Sequence, residues 1–210
     1  MVDDVEPTGM FERLVEVATG LFAELGYDAT STEMVAESAG VSVTTVRAEI
    51  GGKRDIYLAV MKQTGAQEQV MLEDAVAEFT PDAAGVHRFL DRYLDFFLAH
   101  PYTAALWMQR RLFDAADIAD MEKIYSIPQL QLVAQKVGGA FGPGVDVEFS
   151  LWTVVWCVHS FVQGGIPAPG GERLGRHDHR TVARFRAHLH HMVGRMVGID
   201  DWDESSALES

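Results

Sequence analysis

Only one cysteine, Cys157, occurs in 210 residues. That excludes an intramolecular disulfide and fits a reducing compartment. No apolar run reaches the ~18 residues needed to cross a bilayer, and the richest stretch, Leu151 to Phe161, is too short. The opening MVDDVEPTG lacks the basic and apolar segments of a secretory leader. These absences lead to the expectation of a soluble, cytoplasmic protein with no membrane partner. No period-two alternation marks a strand, and no internal repeat is present. Cations are scarce, with 17 Lys and Arg against 31 Asp and Glu, a net charge of −14. A field of that sign repels phosphate backbones and gives no steering towards nucleic acid. A local cationic patch, particularly on a dimer, can still serve.

What is present is apolar material at helical spacing. Hydrophobic residues make up 48% of the chain and charged ones 23%, enough for a proper core in one large domain or two small ones. Phe11, Leu14, Val15, Ala18, Leu21, Phe22 and Leu25 form one stripe, closed by Gly26. Thr30 and Glu33 have the spacing of a capping box, opening a short helix that Gly40 ends. Ser42 is placed to cap the next helix, Val43 to Ile50, and GGK at 51–53 breaks the chain again. A longer helix follows from near Arg54 towards Phe79. Further helices run to His100, after Pro101, around Ile127 to Val137, over 147–164 and from about 181 to 199, with a polar loop at 167–178. The fold class expected is all-α.

Two short helices joined at AGVS, residues 39–42, have the form of a helix-turn-helix. Such a motif needs a small residue and a glycine where its helices cross, and Val41 serves as the apolar plug. The second helix then offers short polar groups near its N-terminus, where bases are read; Ser42, Thr44 and Thr45 fit. Over about 45 residues the chain resembles the TetR family of transcriptional regulators. The resemblance rests on Leu21-Phe22, then ELGYDATS, VAESAGVS and TTV, with Lys53 just before the fourth helix. It implies a three-helix DNA-binding domain, expected over 1–53. It also implies a larger helical domain, expected over 54–199, that binds a small molecule and dimerises through its last two long helices. An acidic tail over 200–210 completes the expected organisation.

The chain departs from the family at Arg47, where a Tyr that touches the DNA backbone is usual, and at Ile50, where Phe is usual. Arg47 can contact that backbone with full charge, or read a guanine edge. The expected DNA contacts are therefore Thr44, Thr45 and Arg47 to bases and nearby backbone, with Ser42 at the helix start and Thr32 and Lys53 on phosphates. Residues 1–56 hold eleven acids against four bases, but residues 30–55 hold four against three. The excess sits on the arm and first helix. So few cations imply a shallow salt dependence, about two or three phosphates per protomer at a slope of about −0.9 each. The alternatives are a homodimeric small-molecule or protein-binding module of the same fold with weak or lost DNA binding, and a chance helix-turn-helix in an unrelated bundle.

In the second half, residues 147–164 are apolar on almost every side, and a helix of that kind must be buried. A homodimer satisfies this and matches a palindromic double-stranded operator with half-sites one turn apart. Most aromatics there read as core. Trp107, Tyr125, Trp156 and His159 are candidates to line a cavity for a small hydrophobic effector. Cys157 and His159, two apart on a helix, point away from each other and make no nucleophile–base pair. The histidines at 177, 179, 188, 190 and 191 lack a carboxylate or Cys at ligand spacing on their helix and are read as its polar flank. EIGGKRD fails as a phosphate loop, with Arg47 in the place of its first glycine and Arg54 after the Lys. No cofactor, metal or enzymatic activity is expected.

Overall fold

The structure, a computed structural model, describes residues 7–198. The expected acidic arm ahead of Pro7 and the acidic tail over 200–210 lie outside the described residues. The chain folds into two compact units. Among the described residues one comprises 7–67 together with 105–121, and the other 68–104 together with 122–198. α4 (Lys53–Ala77) begins in the first unit and ends in the second, and a segment far along the sequence joins the first unit.

In the first unit, α1 (Pro7–Leu25), α2 (Thr32–Ala39) and α3 (Val43–Glu49) pack with the start of α4. The α1 stripe works as its spacing predicts in the middle, where Leu14, Val15, Ala18 and Phe22 are buried, whereas Phe11 and Leu25 stay exposed at its ends. Phe22, Tyr27 and Tyr57 form an aromatic triad with ring centroids 4.9 to 6.0 Å apart, and edge-on contacts of this kind add to simple burial. The capping box expected at Thr30 is replaced by a simple cap one residue later. Ser31 caps α2 by accepting from Met34 N, while the buried Thr30 hydroxyl donates to the Gly26 carbonyl at 2.7 Å. Gly40 takes the left-handed conformation (φ 68°) as Glu37 and Ala36 accept from the Gly40 and Val41 amides. A residue with a Cβ adopts this φ at a cost, so glycine suits the turn.

The second unit holds the rest of α4, α5 (Ala83–Ala99), α7 (Met121–Ile124, with Met121 at the division), α8 (Ser126–Val137), α9 (Val147–Gly164) and α10 (His179–Met196). α6 (Pro101–Arg111) begins in this unit and ends in the other. Asp82, Asp146 and Asp178 cap α5, α9 and α10, each accepting a backbone N–H three residues on. For Asp82 and Asp178 those bonds hold the carboxyl below its usual range. Leu90, Leu94, Phe97, Val158, Phe161 and Leu189 are buried together in the core of this unit, with Phe161 stacked on Phe185 at 4.0 Å. α9 keeps the span read from sequence, yet in the single chain Phe149 and Trp156 are exposed.

A small antiparallel hairpin, β1 (Ile166–Pro167) with β2 (Arg173–Leu174), starts one residue ahead of the loop expected at 167–178 and runs into it. Two-residue strands are too short to show an alternating pattern, which is why the sequence carried no sign of them.

Candidate nucleic-acid interface and ligand cavity

The recognition helix α3 is short, and its cap occupies two of the expected contact residues. Ser42 Oγ accepts from Thr45 N at 3.0 Å and lies 2.8 Å from Thr45 Oγ1. Thr44, Arg47 and Ala48 are exposed, and their spacing places them on one outward face. Arg47 Nη2 lies 3.8 Å from Glu33 Oε1 on α2, both side chains about two-thirds exposed. Thr32 is buried at the first turn of α2, at 7% exposure. Lys53 Nζ donates to the Asp28 carbonyl at 3.1 Å and sits 4.3 Å from the centre of the Tyr27 ring. Arg13 Nη2 ties α1 to the end of α2 through the Ala39 carbonyl at 2.7 Å. The motif thus presents a near-neutral surface on which Arg47 and Lys53 are the cations expected to meet DNA, each already engaged with the protein. Ser31 and Glu33 belong to this surface; the sequence drew Glu33 in as a capping partner of Thr30 and left Ser31 unnamed, because either Thr30 or Ser31 could have been the cap.

The second unit contains a small, partly open apolar cavity of about 40 Å³. It is lined by Phe79 on the chain beyond α4, Val86, Phe89 and Leu90 on α5, Val137 at the end of α8, Leu151 and Val154 on α9, and Val193 and Met196 on α10, among others. Its polar member, Ser150, donates its hydroxyl to the Asp146 carbonyl at 2.7 Å within α9. The cavity therefore favours hydrocarbon and offers little to orient a polar group.

The four residues named in advance as lining are not brought together. Trp107 is buried in the first unit. Tyr125 is half-buried at the head of α8. Trp156 is 44% exposed and stacked with Trp152 at 6.0 Å. His159 is buried, its Nε2 3.4 Å from the Tyr93 hydroxyl and its ring 4.3 Å from that of Phe97. Helix phase explains this, since α9 turns Leu151 and Val154 to the cavity and Trp152 and Trp156 to another side.

Elsewhere in this unit the α5 and α10 side chains meet in a polar cluster. Arg186 pairs with Asp91 at 2.8 Å and with Asp95. His190 Nε2 lies 2.7 Å from Asp91 Oδ1 and its ring stacks on His87 at 4.1 Å. Burial and the neighbouring His190 push His87 below its ordinary pKa. Burial raises the Cys157 thiol, which makes it a poor nucleophile. Among the described residues no group of three His, Cys, Asp or Glu side chains is placed to hold a metal ion. Among them, too, no helix is long and apolar enough to cross a membrane.

A capped short helix behind a glycine turn, following α2, has the form of a helix-turn-helix. Residues 14–60 match the model for bacterial regulatory proteins of the tetR family. Solved structures of similar fold cover most of the chain. A TetR-like transcriptional regulator from Rhodococcus sp. RHA1 superposes with a TM-score of 0.63 at 16% identity, covering 92% of this chain and 98% of that one. A TetR-family regulator from Mesorhizobium loti gives 0.62 at 19%, covering 93% and 98%. The fatty acid degradation regulator FadR from Bacillus halodurans gives 0.59 at 16%, covering 85% and 93%. At these identities the likeness establishes the fold. No curated protein matches the sequence. The segment 14–60 thus carries the match to the tetR family model, and the fold is that of solved TetR-family regulators.

Proposed function

We propose that the protein is a homodimeric, cytoplasmic repressor that leaves a palindromic operator when a small apolar molecule enters the cavity of the second unit. The observation that carries this reading is the small cavity itself, lined almost wholly by hydrocarbon. A relative of the same fold is a fatty acid degradation regulator, and an aliphatic chain suits this lining too. Thr44, Thr45 and Arg47 read the operator, with Ser42 fixing the start of α3, and Lys53 and the first turn of α2 at Thr32 meet phosphates. The exposed Phe149 and Trp156 on α9 supply apolar surface for a second copy. An effector acts only through a difference in its affinity for the bound and released states.

The alternative, a dimeric ligand-binding module with a weak head, is favoured by one observation, the pairing of Arg47 with Glu33. Selection of duplexes from a random-sequence pool by the full-length protein separates the two. Enrichment of a palindromic site, and its release by long-chain fatty acids or similar amphiphiles, supports the repressor. A folded dimer that enriches nothing at low salt overturns it.

A further inference from the structure

Residues 112–120 form the most strained stretch among the described residues. Phe113 (φ 67°), Ala115 (φ 53°) and Asp120 (φ 68°) all take the left-handed conformation without being glycine. Such backbone persists only where its surroundings over-determine it, and it clusters at sites that do work. Here the surroundings are specific. Arg110 donates to the Ala115 carbonyl at 3.3 Å and to the Ile118 carbonyl at 3.2 Å. Ala115 and Ile118 are themselves fully buried. Between the strained Phe113 and Ala115 stands Asp114. Its Oδ2 accepts from Tyr27 N at 2.7 Å and its Oδ1 from Asp28 N at 3.0 Å.

Those two residues hold Lys53 from their other sides, Asp28 through its carbonyl and Tyr27 through its ring. We infer that Asp114 is a positioning residue for DNA binding: by clamping the 27–28 turn it aims the Lys53 ammonium at the phosphate backbone. Both carboxylate oxygens are used, so the two successive peptide planes are fixed. The direction of the Asp28 carbonyl and the seat of the Tyr27 ring follow. A lysine side chain has four rotatable bonds, and an ammonium already held at two points loses less freedom on meeting a phosphate. All of these groups lie within the first unit. The inference rests on the reading of Lys53 as a phosphate contact.

A double-mutant cycle on the full-length protein tests it, using the duplex that the wild type enriches from a random pool, titrated at several salt concentrations. Lys53→Ala is expected to weaken binding several-fold and to reduce the salt slope by about 0.9. Asp114→Asn is expected to reproduce most of that loss and the shallower slope, and Lys53→Ala should then add little. A variant that merely loosened the fold would lower affinity at an unchanged slope, and circular dichroism melts identify it. If Asp114→Asn does not fold, Arg110→Gln, which releases the segment while keeping the carboxylate, completes the same cycle. Additive losses, or an unchanged slope in Asp114→Asn, leave Lys53 on the DNA and overturn the role of Asp114. An unchanged slope in Lys53→Ala removes Lys53 from the interface and the inference with it.

Discussion

Replacing Glu33 by Gln should tighten DNA binding. Its carboxylate stands 3.8 Å from the Arg47 guanidinium, and both groups are about two-thirds exposed. At such a separation two unit charges in water attract by about 1 kcal/mol, and salt and side-chain entropy trim exposed pairs to roughly 0.2–1 kcal/mol. Arg47 gives up that much when it turns to DNA, and the carboxylate left behind then repels the approaching phosphates. Glu33→Gln removes both penalties while keeping the side chain's shape, so an affinity gain of about two- to fivefold is expected. Arg47→Ala should cost about 1–3 kcal/mol if the guanidinium reads a base, and should lower the salt slope by about one if it meets a phosphate. In the Arg47→Ala background the Gln substitution keeps only its effect on phosphate repulsion and gains less. Fluorescence anisotropy on the enriched duplex at two salt concentrations measures all four proteins. If Glu33→Gln binds equally or more weakly, the pair organises Arg47 for DNA instead of competing with it, and the reasoning fails.

Other outcomes follow from the second unit. Val154→Phe projects a ring into the cavity, and binding of a fluorescent alkyl probe should fall about tenfold or more while the dimer and its DNA affinity persist. His87 has its folded pKa held below its ordinary 6.5, by burial first and then by His190, with Asp91 opposing. The unfolded chain therefore binds the proton first, so this contribution to stability is present above 6.5 and is lost as pH falls below it. Urea unfolding across that range should show the slope, and His87→Asn should flatten it. Gly165 has φ 58°, and an added Cβ would collide with the Leu174 carbonyl and lie 2.8 Å from Gly175 Cα. Gly165→Ala should thus cost about 1–3 kcal/mol and lower the melting temperature by several degrees.

Local signals carried most of the fold. The α1 stripe, the Gly40 turn, the Ser42 cap and the span of α9 depend on neighbours within a few residues, and periodicity and cap chemistry expose such relations directly. Where two residues competed for one local role, as Thr30 and Ser31 did, the register slipped by one. What stayed hidden depends on distant partners. Nothing near Asp114 betrays that it accepts amides 86 and 87 residues earlier in the chain. The cavity is a gap left between several elements, and Phe89, Leu90 and Val154 each look like ordinary core. Trp156 and His159 looked promising as chemistry, but which side of α9 faces the gap is settled by packing that the sequence does not display.

The clamp on Tyr27 and Asp28 also matters while the protein is being made. The recognition motif leaves the ribosome early, but the carboxylate that fixes its entry turn is 86 residues behind Asp28. At bacterial elongation rates of about 5–20 residues per second, roughly 4–17 seconds separate the two. The nascent helix-turn-helix therefore spends those seconds with its 27–28 turn unclamped. It is completed only when the chain past α6 returns to it, so a polypeptide arrested before residue 114 would carry the reading helix without the finished grip.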